Sequence, residues 1–374
     1  MEKQKKVIKK INAKYGAIET LKAAKANPND EFITGLNDIS KELIHYTHYF
    51  KGRNIICPCD CDILKNDKVH KIEIFFNDTP EKRFISPTGF IYKIKYLIYY
   101  TLVNNTYIPT KIEGNTARDF ISKNIVCNFI KAIVDIGEDY GIHSVTASGF
   151  NTLTQEGFRF ETVDYNKYNL IITNPPFSQY KTFMNTIMPY VEKRKGSNNP
   201  LDFILLSSYK NRMNPCVGIG LMQRIFYLGF GRHLNLKFNE INKDNAYTTK
   251  IVSVDWITTF SDAQNIIDKT HKSTGIDFNL YKEDYPILNT ITMKDNTHPI
   301  VIKSKGAIPD NYFGWMQGSI GILTDLNFNE FDWFITNAKK LYNTQKPELN
   351  PFLHKATDTM LNFHGIVFKR KETI

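Results

Sequence analysis

The sequence lacks any apolar run near the roughly 18 residues of a membrane-spanning helix, so we do not expect an integral membrane protein. Cysteine is scarce and odd in number, with five residues in a chain of 374, which is unlike a secreted disulfide scaffold. We therefore expect reduced thiols and a cytoplasmic protein. The segment 1–26 lacks the Arg and Ser of a transit peptide and the apolar region of a secretory signal.

Apolar residues make up 42% of the chain and aromatic residues 13%, which predicts a packed globular core and excludes a disordered chain. The formal net charge is +10, and the charge is unevenly spread. Residues 1–26 contain eight Lys and two Glu, a net +6. This indicates a polyanionic partner, most simply nucleic acid, with a solubilising tail as the alternative.

Hydrophobic periodicity predicts an α/β protein. Helical spacing covers 3–25 and a second stretch from Asp30 to Lys51-Gly52, and a short apolar strand follows at 54–57. The later elements are apolar runs at 142–146, 170–173, 203–206 and 251–260, with helical stretches around 119–137 and 179–193. Strands that alternate with helices favour a largely parallel sheet, which binds ligands beyond the carboxyl ends of its strands.

Two regions depart from this alternation. The stretch 63–118 is rich in Tyr, Lys and Ile, and we interpret it as an insertion after the first strand that contacts DNA, forms a satellite core or makes a dimer contact. From 261 onward the pattern becomes irregular. We therefore predict a basic arm at 1–29, a main domain at 30–260 that contains the insertion, and a C-terminal region at 261–374.

The most informative segment is 170–177, where an apolar strand runs directly into Asn-Pro-Pro-Phe. Pro175 and Pro176 have fixed φ angles and no backbone N–H, so we expect their carbonyls to project as acceptors from a rigid turn. Asn174 adds an amide oxygen, and Phe177 supplies a flat face on which a base can stack.

A planar aromatic amine, such as the exocyclic amine of adenine, matches these groups. One N–H is expected to point at the Asn174 amide oxygen and the other at the Pro175 carbonyl, which turns the nitrogen lone pair toward an electrophile. Methyl transfer from a sulfonium donor would follow without a strong base, because the alkylated amine loses its proton readily. The alternative is a purely structural Pro-Pro turn.

The Asn-Pro-Pro-Phe motif is similar to the catalytic motif of amino-methyltransferases that use S-adenosylmethionine. The rest of the chain resembles the EcoRI-type adenine-specific DNA modification methylases, in segments that follow the same order from about residue 30 to 335. The matching segments are Asp30-Glu31-Phe32-Ile33-Thr34, His48-Tyr49-Phe50-Lys51-Gly52-Arg53, Cys57-Pro58-Cys59-Asp60, Gly157-Phe158-Arg159, Asn174-Pro175-Pro176-Phe177-Ser178, Val254-Asp255-Trp256-Ile257-Thr258 and Gly314-Trp315-Met316-Gln317-Gly318-Ser319-Ile320.

The resemblance implies a Rossmann-like class I methyltransferase sheet with helices on both faces. It implies methyl transfer from S-adenosyl-L-methionine to N6 of an adenine that is flipped out of double-stranded DNA. It also implies that 261–374 recognises the target sequence, and that the host is a bacterial cell or a phage-infected one. A companion restriction endonuclease is left open. The implied catalytic residues are Asn174, Pro175, Pro176 and Phe177, and the implied cofactor contacts are Asp30, Glu31, Phe32, Thr34, Cys59, Asp60 and Phe158.

The chain departs from the family pattern at Ile33, Cys61 and Ser319, and it has no Gly-x-Gly turn after the first strand. EcoRI-type enzymes also use a Cys-Asp turn at that place. The alternating cysteines at 57–61 have no second pair at zinc spacing, so no metal is expected. Two other functions stay open: methylation of RNA or of a protein amide, and a catalytically inactive DNA-binding protein on a methyltransferase fold.

Overall fold

A computed structural model of the chain describes residues 34–59, 69–84, 86–151, 155–232, 234–241, 247–270, 275–289, 291–324, 326, 331–336, 353–356 and 365–371. The basic helix predicted over 3–25 lies outside these residues. The described residues divide into two units: those within Met1–Ser207 and Phe230–Trp256 form the first, and those within Ser208–Gly229 and Ile257–Ile374 form the second. Within the described ranges, every helix falls short of the length and apolarity that a bilayer crossing needs.

The described helices and strands alternate along the chain. The helices are α1 (Leu36–Leu43), α2 (Gly114–Asn124), α3 (Asn128–Tyr140), α4 (Tyr180–Arg194), α5 (Pro215–Met222), α6 (Asp262–Thr270) and α7 (Ile320–Leu323). The strands are β1 (Asn54–Cys57), β2 (Val69–Phe76), β3 (Glu81–Lys82), β4 (Phe90–Ile91), β5 (Ile94–Val103), β6 (Thr106–Glu113), β7 (Ser144–Ser148), β8 (Phe150–Asn151), β9 (Glu156–Gly157), β10 (Leu170–Thr173), β11 (Asp202–Ser208), β12 (Tyr227–Leu228), β13 (Leu234–Ile241), β14 (Tyr247–Thr258), β15 (Ile291–Met293), β16 (Ile300–Val301), β17 (Met316–Ser319), β18 (Phe331–Thr336), β19 (Leu353–Ala356) and β20 (Gly365–Arg370).

One large sheet organises the first unit, with the strand order β14-β11-β10-β1-β7-β2-β5-β6 and β13 beside β14. The strands β11, β10, β1 and β7 are parallel: Ile56 lies beside Thr146 and Ile171, and Ile171 lies beside Phe203. β7 and β10 are buried throughout, as expected of parallel strands covered on both faces. The strands predicted at 142–146, 170–173, 203–206 and 251–260 are confirmed.

The predicted insertion extends this same sheet. β2 pairs antiparallel with β7, and β5 and β6 continue outward as an antiparallel hairpin. The sheet is therefore mixed rather than largely parallel, and of these three pairs β5–β6 is the one whose short turn requires antiparallel pairing. One face of the added strands is buried through Ile72, Ile74 and Leu97, and on that face Tyr99 stacks on Phe120 of α2, with ring centroids 5.2 Å apart.

Of the helix predicted from Asp30 to Gly52, the described part is α-helical over Leu36–Leu43 and continues as a 3₁₀ helix over Ile44–Tyr49. The two later helical predictions are confirmed, one of them with an interruption. The stretch predicted over 119–137 forms two helices, α2 and α3, because the backbone is extended at Ile125 (φ −71°, ψ 128°). The stretch predicted over 179–193 is α4. Four apolar side chains of this segment pack inward and are fully buried: Ile39 and Leu43 of α1, and Tyr46 and Phe50, which follow it.

The second unit has a small sheet of its own, in the order β16-β17-β20-β18, and a separate pair β15-β19. Met316, Leu323, Ile366 and Phe368 are buried in its core. Residues 208–229, which the sequence analysis placed in the main domain, belong to this unit together with everything described after Trp256.

Glu42 of α1 is a buried carboxylate, 3% exposed. It accepts hydrogen bonds from the backbone N–H of Phe230 at 2.9 Å and of Gly231 at 2.7 Å, and from the Tyr46 hydroxyl at 2.8 Å. His45 stacks on Phe230 with ring centroids 3.9 Å apart. Residues 229–231 therefore form a turn that binds a carboxylate of the protein itself, and burial raises the Glu42 pKa more than these bonds lower it.

We predict that Glu42→Gln lowers the free energy of unfolding by about 1–3 kcal/mol, because an amide NH₂ group would replace an oxygen that accepts backbone N–H bonds. The pKa of Glu42 is raised in the folded state, so the contribution of the carboxyl falls as the pH rises from 4.5 through that raised value. The difference in unfolding free energy, wild type minus variant, should therefore decrease with pH in urea denaturation. A difference that grows with pH would contradict this, and Asp38→Asn on the same helix is the control.

Candidate active site

The carboxyl ends of β7, β1 and β10 meet at one edge of the sheet. Cys57 at the end of β1 lies beside Ala147, and Ile56 lies beside Ile171. After β1 the chain forms β7 on one side of that strand and later forms β10 on the other side. The strand order therefore reverses at β1, and the carboxyl side of such a reversal is where α/β sheets leave a ligand-binding crevice.

The Asn-Pro-Pro-Phe turn lies at this edge, directly after β10. Pro175 is buried, and Asn174, Pro176 and Phe177 are half-buried. The Pro176 carbonyl accepts the backbone N–H of Gln179 at 3.0 Å as the chain enters α4. Pro176 thus serves the turn, so the expectation that both proline carbonyls project outward holds at most for Pro175.

The structure brings Thr34 and Asn174 together across 140 positions of sequence. The Asn174 Nδ2 donates to the Thr34 Oγ1 at 3.5 Å, and Thr34 is 3% exposed. On its other side, the Thr34 carbonyl accepts a 2.8 Å hydrogen bond from Nδ2 of Asn128, the first residue of α3. Asp30, Glu31 and Phe32, the other predicted cofactor contacts of this segment, lie outside the described residues.

β1 ends at buried Cys57, and half-buried Cys59 lies in the turn that follows. Asp60 lies outside the described residues. Tyr165 is fully buried and donates its hydroxyl proton to the Phe160 carbonyl at 3.0 Å. Burial, with smaller contributions that include Cys59, raises the pKa of Tyr165 far above its usual value, so this phenol stays neutral beside the turn. In the described part of the chain, no three His, Cys, Asp or Glu side chains are grouped so that they could hold a metal ion.

Phe158, the last of the predicted cofactor contacts, lies near the end of β7. Its backbone N–H donates to the Gly149 carbonyl at 2.8 Å, and its ring packs on Tyr107 with centroids 4.5 Å apart. Phe158 follows β9 and lies beside Gly149 at the end of β7, while Asn174 follows β10; β7 and β10 flank β1 and are two strand spacings, or about 10 Å, apart. Among the described residues, Asn174 and Phe158 therefore lie along the same edge of the sheet, on either side of β1.

A polar cluster that no sequence motif predicted lies on the half-exposed face of the insertion. The Lys71 Nζ lies 2.7 Å from the Glu73 Oε1 and 4.7 Å from the centroid of the Tyr100 ring. The Tyr100 hydroxyl donates to the Glu73 Oε2 at 2.9 Å, and burial together with Glu73 raises the pKa of Tyr100 to about 12. Positions 71 and 73 share a face by the period of two in β2, which is the signal that could have revealed this cluster.

A family model described as adenine-specific methyltransferase EcoRI matches residues 20–368. The chain belongs to the EcoRI methylase family. The match begins before and ends after the stretch over which the motifs recur, and the resemblance predicted from those motifs is confirmed.

Among curated members of the EcoRI methylase family, the Type II methyltransferase M.EcoRI of Escherichia coli is 24% identical over 183 residues, which are 48% of this chain and 48% of that protein. The aligned part of the chain thus spans about half the length of that relative. No solved structure matches the chain.

We predict that Asn128→Ala lowers the free energy of unfolding by about 1–3 kcal/mol, because the buried Thr34 carbonyl would lose its hydrogen-bond donor. The loss is measured by urea denaturation, with Lys123→Ala as the control because Lys123 is exposed on the neighbouring helix. Equal stability of Asn128→Ala and wild type would show that this bond does not hold Thr34 in place.

Proposed function

We propose that the chain is a site-specific DNA methyltransferase that transfers a methyl group from S-adenosylmethionine to N6 of an adenine flipped out of duplex DNA. The observation that carries the proposal is the position of Asn174, which lies at the reversal of strand order and donates to Thr34. Membership of the EcoRI methylase family supports the adenine target. The strand order around β1 supports a Rossmann-like class I methyltransferase sheet.

Asn174 would recognise the amine. Its Nδ2 donates to Thr34, which fixes the plane of the amide and sets the direction of the amide oxygen. That oxygen accepts one N–H of the adenine amine, and the Pro175 carbonyl accepts the other. Both N–H bonds then lie in the plane of the base, so the lone pair of the nitrogen points out of that plane toward the methyl donor.

Phe177 would hold the base while the amine reacts. Stacking of a base on an aromatic ring contributes about 1–3 kcal/mol, comparable to the few kcal/mol that flipping an adenine out of the duplex costs. The nitrogen would form a bond to the methyl group as the methyl–sulfur bond of the donor breaks and its electron pair stays on sulfur. The methylated amine would then release one proton to water, so the site needs no strong base. Lys71, Glu73 and Tyr100 lie on β2 and β5, which are on the other side of β7 from β1 and β10.

The residues at the crevice fit S-adenosylmethionine. When bound, this cofactor supplies an electrophilic methyl group on a sulfonium centre. Half-buried Phe158, near the end of β7, offers an apolar wall for the adenine of the cofactor. Asn174 follows β10, which is two strand spacings from β7. A nucleoside with its amino-acid tail is long enough to reach from Phe158 to Asn174. We assign Asp30, Glu31, Phe32, Thr34, Cys59, Asp60 and Phe158 to its binding.

The remaining regions would bind DNA. The Lys-rich segment 1–29 would add salt-sensitive affinity for phosphates, and 261–374 would read the target sequence. Double-stranded DNA is thus the proposed partner, and a soluble cytoplasmic location in a bacterial or phage-infected cell fits that partner.

We predict that Asn174→Ala lowers the rate of methyl transfer by about 100-fold or more, because the reacting amine loses one of its two acceptors. Binding of S-adenosylmethionine, measured by calorimetry, should stay within about twofold of wild type, since a cofactor held mainly by other residues loses little. The matched control is Asn166→Ala, an exposed residue before the amino end of β10. A variant at Asn174 that methylates at a near-normal rate would overturn the assignment.

A further inference from the structure

The β5–β6 hairpin of the insertion extends past the carboxyl edge of the sheet. Ser148, the last residue of β7, lies beside Lys71, which in turn lies beside Tyr100, and Tyr100 lies beside Pro109. Each strand continues for three residues beyond that level, or about 10 Å. The hairpin therefore rises next to the end of the crevice where Phe158 lies.

Tyr107 is the hairpin residue that contacts this end of the crevice. Its hydroxyl oxygen accepts the backbone N–H of Gly157 at 2.7 Å. Its ring packs on Phe158 with centroids 4.5 Å apart and planes inclined by 37°, and it meets His70 edge-on at 6.0 Å. One side chain of the insertion thus holds both the backbone and the ring of the Gly157-Phe158 segment.

The backbone of this segment has no room to move toward β7. Gly157 has a φ of +108°, and a Cβ there would lie 2.2 Å from the Gly149 carbonyl oxygen. Phe158 donates its N–H to that same carbonyl at 2.8 Å. Gly149 therefore holds one side of the segment and Tyr107 holds the other, which leaves the Phe158 ring fixed between them.

We propose that Tyr107 is a positioning residue for the cofactor, which orients Phe158 as the wall against the adenine of S-adenosylmethionine. This inference rests on the proposed function and gives the insertion a role in cofactor binding rather than in DNA recognition. A ring that is already held in place loses little conformational freedom when the ligand binds, so a loose ring weakens binding. The effect falls on affinity for the cofactor and not on the chemical step.

The test compares Tyr107→Phe, which keeps the ring and removes the acceptor for Gly157, with Tyr107→Ala, which removes both. The control is Tyr96→Ala, on the same face of the insertion, because its ring packs on Phe75 at 4.7 Å and carries the Lys111 Nζ at 4.4 Å. For each full-length variant, calorimetry gives the Kd for S-adenosylmethionine. Steady-state assays on unmodified plasmid DNA give KM for the cofactor and kcat, and fluorescence anisotropy gives affinity for duplex DNA.

We expect Tyr107→Ala to raise the Kd and KM for S-adenosylmethionine about tenfold and Tyr107→Phe about threefold to tenfold, with kcat at saturation and DNA affinity unchanged. Tyr96→Ala should match wild type. The inference is overturned if Tyr107→Phe and any folded Tyr107→Ala bind the cofactor as wild type does, if Tyr96→Ala weakens it equally, or if only DNA affinity falls. A wild-type chain that binds no S-adenosylmethionine would overturn the proposed function as well, which separates the two failures.

Discussion

Parallel pairing of β7, β1 and β10 determines where the candidate active site forms. It brings the ends of three strands, far apart in sequence, to one edge, and the order reverses at β1 so that a crevice opens there. The Asn174 turn, the Cys57 turn and the Gly149 turn all leave the sheet at this edge. Their chemistry is combined only because these strands share a direction.

Buried hydrogen bonds hold the N-terminal segments to this edge. Thr34 contacts Asn174 through its hydroxyl and Asn128 through its carbonyl, while Glu42 on the following helix binds the turn at Phe230 and Gly231. Thr34 and Glu42 are buried, so their hydrogen bonds are costly to lose. The segment that precedes α1 is therefore fixed to the site at its Thr34 end.

Local patterns in the sequence were enough to predict the strands of the parallel core and the Asn-Pro-Pro-Phe turn, because apolar runs and proline act over a few residues. The place of the insertion in the sheet was harder to predict. Its separation from the α/β pattern was visible, but its pairing with β7 depends on contacts such as Lys71 with Ser148, which no local pattern reports. The contact of Glu42 with the turn at Phe230 and Gly231 could not be predicted from local patterns, since Glu42 lies 189 positions from Gly231.

We propose that the groups at the carboxyl edge of β7, β1 and β10 serve to methylate the amine of adenine in DNA. The most direct measurement incubates the full-length chain with methyl-labelled S-adenosylmethionine and unmodified double-stranded DNA, digests the DNA, and separates the nucleosides. We expect the label in N6-methyldeoxyadenosine. Label in another nucleoside, or none in DNA while the chain binds the cofactor, would contradict it.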